Sequence, residues 1–220
     1  MRPLLVLRPE PGTTATVQRA RERGLEAVAV PLFEIEPLDW KAPDSTGFDG
    51  LLLTSANVVR SAGDQLKALR GLPVYAVGQA TADAARDAGF SIASVGDADV
   101  ERLLRSIDPR LKLLHACGED RRAPAADQQI TAVPVYRAKP IGAPDLGRLT
   151  GAVALIHSPR AGRRFAELVD DRGSISIAAI SRAAADSAGG GWETVESADA
   201  PNDDALLALA TRLCNKPPPE

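Results

Sequence analysis

Four polar segments stand where short apolar runs end: Thr54-Ser55-Ala56-Asn57, Gly78-Gln79-Ala80-Thr81, Gly118-Glu119-Asp120-Arg121 and His157-Ser158-Pro159-Arg160. Where a strand ends and a helix begins, unpaired N–H groups and the positive end of the helix dipole receive anions. Ser, Thr and Asn are also ordinary helix caps, so one such turn alone identifies no site. Several on one sheet edge weigh more, since two domains could face each other across a cleft. Near these turns lie Arg121-Arg122, Arg137 with Lys139, and Arg160 with Arg163-Arg164, in a chain of net charge -3. They read either as solvated faces or as partners for a polyanionic small molecule. Tyr136 ends an apolar run and either anchors a linker or offers its hydroxyl as a weak acid. Cys117 reads as a thiolate near Arg121 or as a small buried side chain. Glu119-Asp120 reads as a carboxylate pair or as first-turn charges of a helix.

Other chemistries are excluded by what the 220 residues lack. No G-x-G-x-x-G follows the first strand, and no G-x-x-x-x-G-K-[ST] occurs. Ser55 and Ser158 sit in no G-x-S-x-G elbow, and no motif pairs His115 or His157 with either. Two cysteines and two histidines support neither a disulfide framework nor a four-ligand zinc site, and a histidine-rich metal centre is not expected. The acidic balance argues against nucleic acid, as does an aromatic content of 4%. Apolar stretches such as 51–53 are too short for a membrane span. Met1-Arg2-Pro3 runs straight into a strand-like segment without a secretory signal, which predicts a cytoplasmic protein.

The elements that must position these residues follow one pattern. Strands are predicted at 3–7, 27–30, 50–53, 74–77, 112–116, 131–136, 152–157, 177–180 and 193–195. Helices are predicted at 13–23, capped by Thr13 or Thr14, and at 56–69, 79–88 and 202–213. Strands alternating with helices at this spacing indicate parallel sheets. Three segments recur 103 positions apart: Ser55 with Ser158 after similar strands, Ala76 to Asp83 with Ala179 to Asp186, and Ala29 to Phe33 with Ala132 to Tyr136. A duplicated half accounts for them. Proline-bearing stretches at about 34–43 and 137–144 read as crossings between domains. The expected fold is α/β: two similar doubly wound parallel-sheet domains joined by two extended linker strands. One domain is continuous, 38–139; the other is discontinuous, 1–35 with 142–220. A head-to-tail arrangement split near residue 107 is the alternative.

Taken together, Leu52-Leu53-Thr54-Ser55-Ala56-Asn57-Val58-Val59, Ala76-Val77-Gly78-Gln79-Ala80-Thr81-Ala82, Cys117-Gly118-Glu119-Asp120-Arg121 and Val133-Pro134-Val135-Tyr136-Arg137-Ala138 resemble the uroporphyrinogen-III synthase family over essentially the whole chain. The resemblance implies two α/β domains joined by two extended strands. It implies a substrate, hydroxymethylbilane, with eight carboxylates, which loses water, inverts its last pyrrole ring and closes, without metal or organic cofactor. It makes Tyr136 the candidate proton donor. Candidate substrate-binding residues are Thr54, Ser55, Asn57, Gly78, Gln79, Thr81, Gly118, Arg121, Ser158, Arg160, Ser181 and Arg182. One departure stands out: Ala184 replaces a threonine common in the family, leaving Ser181 or Arg182 to substitute. Cys117-Gly118 stands where the family usually carries Arg-Gly. No membrane or nucleic-acid partner is implied, and nothing demands more than a monomer. The rivals are a non-catalytic two-lobed binding module for a tetrapyrrole or other polycarboxylate, and a flavodoxin-like redox protein.

Overall fold

A computed structural model describes residues 1–96, 99–121, 123–147 and 149–217. The chain divides into two compact units, one of 1–34 with 140–220 and one of 35–139.

The first unit holds a five-stranded parallel sheet. Its strands are β1 (Leu4–Val6), β2 (Ala27–Ala29), β9 (Val153–Ile156), β10 (Ser176–Ala179) and β11 (Thr194–Ser197), in the order β11-β10-β9-β1-β2. β1, β9 and β10 are buried along their length, which is why their residues are uninterrupted Leu, Ile, Val, Ala and Ser rather than alternating polar and apolar. On one face Leu4, Val6, Val153, Leu155 and Ala178 pack against α7 (Asp203–Cys214) through Leu206, Leu207, Ala210 and Leu213. Helix α1 (Gly12–Glu22) adds Val17 and Ala20 to that cluster. Helices α5 (Pro159–Leu168) and α6 (Arg182–Ser187) pack on each other. A Cβ on Gly162 would meet Ser187 Oγ at 2.2 Å and the Ala184 carbonyl at 3.0 Å, so α5 can approach α6 this closely only through a glycine.

At the amino end of this sheet Arg2 is 3% exposed. Its Nε donates to the Gly151 carbonyl at 2.6 Å and its guanidinium pairs with Glu193. Ser176 donates to the same carboxylate at 2.9 Å. This ties together the strands that begin there.

The second unit holds a six-stranded sheet. Its strands are β3 (Phe33–Pro37), β4 (Gly50–Leu53), β5 (Val74–Val77), β6 (Ile92–Gly96), β7 (Lys112–Gly118) and β8 (Gln129–Pro140), in the order β3-β8-β7-β4-β5-β6. From β8 to β6 the pairing is parallel. The amide of Leu38 bonds the Val135 carbonyl and that of Ile141 the Leu32 carbonyl, so β3 runs antiparallel to β8. Leu51, Leu53, Val74, Ala76, Leu114 and Ala116 form the core on one face with α2 (Ala56–Ser61) and α3 (Gln79–Asp87). Leu52 and Leu113 form it on the other, under Leu103 and Leu104 of α4 (Val100–Arg105).

Three local expectations need correction. The helix over 56–69 is broken: α2 ends at Ser61, and Gly63, at φ 64°, starts a 3-10 stretch through Leu69. Neither Thr13 nor Thr14 caps α1; Glu10 accepts from the Thr14 amide at 3.1 Å, while the Thr13 hydroxyl turns back to the Arg8 carbonyl. No helix follows β7 among the described residues of 119–128, so Glu119 and Asp120 are not first-turn charges. Strand β6 and helices α4, α5 and α6 had no counterpart among the predicted elements. No helix among the described residues is long and apolar enough to cross a membrane.

Candidate functional site

In the second unit the candidate residues gather along one edge. Thr54, Ser55 and Asn57 follow β4; Gly78, Gln79 and Thr81 follow β5; Gly118 closes β7, with Arg121 beyond it. Tyr136 lies on β8 as the register partner of Gly118. These strands are neighbours in the order β8-β7-β4-β5, so nine of the named residues share the carboxyl edge of one sheet.

Each is held for a local reason. Ser55 Oγ accepts from the Asn57 amide at 3.2 Å and caps α2. Gly78 takes φ 83°, a conformation that strains any side chain, and turns β5 sharply into α3. With no side-chain cap on α3, its first-turn N–H groups, on Gln79 and Ala80, have no partner within the helix. Gln79 instead points its amide at Asp83, 2.7 Å away, and Thr81 is buried in the first turn. Thr54 Oγ1 lies 3.2 Å from His115 Nε2. Burial, reinforced by the charge of Arg121, lowers the His115 pKa to about 4, so its ring is neutral.

Tyr136 is the most constrained of the set. A Cβ at Gly118 would stand 2.9 Å from its Cζ and 3.0 Å from its hydroxyl oxygen, so the glycine makes room for the phenol. The Tyr136 carbonyl accepts from the Glu119 amide at 2.9 Å. Burial raises the phenol pKa above its ordinary value, with the neighbouring Ser55 hydroxyl acting in the opposite direction. The group is therefore a hydrogen-bond donor throughout the neutral range and a weak acid. Cys117 is buried, donates to the Val133 carbonyl at 3.6 Å and has its thiol pushed up by burial, which makes it a packing residue and not a thiolate.

The remaining four named residues lie in the first unit, at the carboxyl ends of the adjacent strands β9 and β10. Ser158 Oγ accepts from the Ala161 amide at 3.2 Å and Ser181 Oγ from the Ala184 amide at 3.3 Å. Both serines are thus helix caps, for α5 and α6. Arg160 stacks over the Phe33 ring at 4.6 Å. Arg182 is largely exposed and pairs with Asp186 at 2.9 Å along its own helix. Ala184 is fully buried on α6, and its carbonyl lies where Gly162 approaches.

Several cations of the basic clusters are already engaged. Arg137 and Lys139 both hold Glu36, each at 2.8 Å. Arg164 donates to the carbonyls of Ile141 and Gly142. Arg122 lies outside the described residues.

One constellation has no counterpart in the sequence reading. At the carboxyl edge of the first unit's sheet, Asp203 accepts from Arg8 at 3.2 Å, Thr16 at 2.8 Å and Arg19, and meets His157 Nε2 at 3.0 Å. Burial alone would raise the Asp203 carboxyl, yet the His157 ring, Arg8 and Thr16 hold it well below the usual carboxylate range. Burial lowers the His157 pKa, partly offset by Asp203. The acidic first turn after Asn202 was the visible signal, but its partners lie as far as 195 residues away.

A family profile described as "Uroporphyrinogen-III synthase HemD" matches residues 14–208. The uroporphyrinogen-III synthase of Chlorobaculum parvum is 35% identical over 119 residues, 50% of this chain and 48% of that protein. The chain thus aligns with about half the length of this relative. Among solved structures, the uroporphyrinogen-III synthetase of Helicobacter pylori superposes with a TM-score of 0.67 at 18% identity, covering 97% of this chain and all of that one. A mutant uroporphyrinogen III synthase from Thermus thermophilus gives 0.57 at 17% identity, with 97% and 98% covered. These likenesses establish the fold, and the profile match across most of the chain places it in the uroporphyrinogen-III synthase family.

Proposed function

We propose that the chain is a uroporphyrinogen-III synthase, a hydro-lyase that cyclises hydroxymethylbilane with inversion of ring D and loss of water. One observation supports the reading above the rest. The phenol of Tyr136 is seated against Gly118 and beside Ser55, on the same sheet edge as the open first turn of α3. A polycarboxylate substrate needs many N–H donors, and each bond fixes part of its pose. Helix α3 is long enough for its dipole to assist, and Gly78 keeps side chains clear of its amides.

The chemistry then divides into departure and positioning. The C–O bond of the hydroxymethyl group breaks, the electron pair leaves with oxygen, and a proton completes water. The pyrrole nitrogen supplies electrons and leaves an electron-poor azafulvene. A phenol with a raised pKa serves this step by hydrogen-bonding the leaving oxygen, and it gives up its proton reluctantly. Positioning carries the rest: the bilane can close without inversion in water, so the protein must favour attack through the substituted carbon. Holding the reacting atoms together is worth up to about 7–11 kcal/mol in favourable cases.

The test is to incubate the protein with hydroxymethylbilane, oxidise the products and resolve the isomers by chromatography. Type III product in excess of type I is the expected result. Type I alone, at the uncatalysed rate, would overturn the reading and leave a binding module.

A further inference from the structure

We propose that the cavity beneath the 119–128 segment of the second unit is a binding site for a carboxylate group. Strands β7 and β8 are parallel neighbours, yet the described residues between them include no helix. On this face α4 covers Leu52 and Leu113 with Leu103 and Leu104. At six residues α4 is only about 9 Å long, so it covers a limited stretch of the sheet. Two residues past Leu113 on the same face comes His115, paired in register with Ala132 of β8. Above them the connecting segment leaves a cavity of 240 Å³, lined by His115, Arg121, Ala126, Gln128 and Ala132 among others.

Three features of the lining select the ligand. First, His115 is 2% exposed and its Nδ1 has no hydrogen-bond partner. An unpaired buried polar atom costs about 1–3 kcal/mol, which a ligand group that reaches it would recover. The ring is neutral, and in the tautomer where Nε2 accepts from the Thr54 hydroxyl its single proton sits on Nδ1, as a donor. Second, Arg121 lines the same cavity from an exposed position, and its planar guanidinium suits bidentate contact with a carboxylate. Among the described residues, no acidic side chain lines the cavity. Third, the volume is below the 300–1,000 Å³ typical of pockets that enclose a whole drug-sized ligand, and alanines keep it open. Gln128 is not spare: its Nε2 donates to the Leu104 carbonyl at 2.8 Å and pins the segment in place. The cavity therefore fits a short arm ending in a carboxylate.

That group has two possible sources. It is an acetate or propionate arm of the bilane, which rests on the proposed function, or a free short-chain carboxylate, which does not. Because the chain has two histidines, labelling with 15N-histidine gives a probe at His115 and an internal control at His157. Titration with sodium propionate, against sodium chloride at matched ionic strength, should shift the His115 nitrogens saturably and leave His157 still. Arg121→Gln should weaken this binding at least tenfold, and Ala132→Leu, which fills the cavity, should abolish it while the His157 signals persist. A non-saturating shift, or the same affinity in Arg121→Gln, would overturn the site. In the cyclisation assay, competitive inhibition by propionate, with Arg121→Gln raising KM more than it lowers kcat, assigns the site to a substrate arm. Saturable binding at His115 with KM unmoved assigns it to a free carboxylate. Saturable binding in a protein that forms no type III product sinks the proposed function and leaves the site standing.

Discussion

Gly118→Ala is the substitution whose effect can be worked furthest from the geometry. The added Cβ would stand 2.9 Å from Cζ, 3.0 Å from the hydroxyl oxygen and 3.1 Å from Cε2 of Tyr136. Carbon atoms in contact sit about 3.5–4.0 Å apart, so the ring must retreat by roughly half an ångström or more. Its backbone cannot follow freely, since the Tyr136 carbonyl is tied to the Glu119 amide. The strain has the size of an overpacked core, about 1–3 kcal/mol, or a fall in Tm of about 2–12 °C for a chain of this length. Displacing a positioned group by 1 Å can cost about a hundredfold in rate, so half that distance predicts about a tenfold loss. The assay is the rate of type III product, with type I reporting bilane that closes without control. The double variant separates the two effects. In a Tyr136→Phe background the conflict with the ring carbons persists, so the stability cost remains. The hydroxyl is gone, so the further loss of activity should stay within twofold. Wild-type activity in Gly118→Ala, or an undiminished tenfold loss in the Phe background, would show that displacement of the phenol is not what lowers the rate.

Tyr136→Phe itself should lower the rate about tenfold without abolishing it, because a weak acid supplies less than the usual range of general acid catalysis; complete loss in a folded protein, judged by its melting curve, contradicts this. Arg2→Ala should cost about 3–5 kcal/mol, since it leaves Glu193 without its partner at the amino end of the strands, and KM should stay within twofold; thermal melts and substrate titration check both. Stability should fall as the pH drops from about 6.5 towards 4. His115 has its folded pKa lowered, so the unfolded chain takes up the proton first, and the loss is on the order of 3 kcal/mol, complete near pH 4. Urea unfolding of wild type and His115→Gln between pH 7.5 and 4.5 tests it, the variant giving the shallower decline. Asp203 contributes in a lower window: its depressed carboxyl stabilises the fold above about pH 4 and loses that contribution on further acidification, so Asp203→Asn should melt lower at pH 7 than wild type.

Parallel α/β architecture was legible because the strands buried on both faces leave little choice of residue. Leu51-Leu52-Leu53 and Ala154-Leu155-Ile156 are buried outright, and each ends on a capping serine, Ser55 and Ser158. The positions 103 apart serve the same local purpose: Gly78 and Ser181 both stand at the N-caps of helices that follow strands. The misread stretches have physical reasons. Gly63 lies in an otherwise helical pattern, and its positive φ breaks the helix. The acidic pair after Gly118 imitates a helix start, yet the chain returns directly to β8. Strand β6 is an edge strand with alternating burial over five residues, a weak signal. Long-range chemistry was least accessible. The Asp203 cluster draws on residues from four separate segments, and the contact of Thr54 with His115 depends on β4 lying beside β7. Local periodicity carries no trace of either.

The carboxyl edge of the second unit's sheet should receive a polycarboxylate through backbone amides beside the Tyr136 phenol. Amide NMR of the 15N-labelled protein titrated with uroporphyrinogen III measures this directly. The expected result is saturable shifts at Ala56, Gln79 and Ala80. Shifts concentrated at the opposite ends of the strands, around Asp49, Lys112 and Ala152, would contradict it.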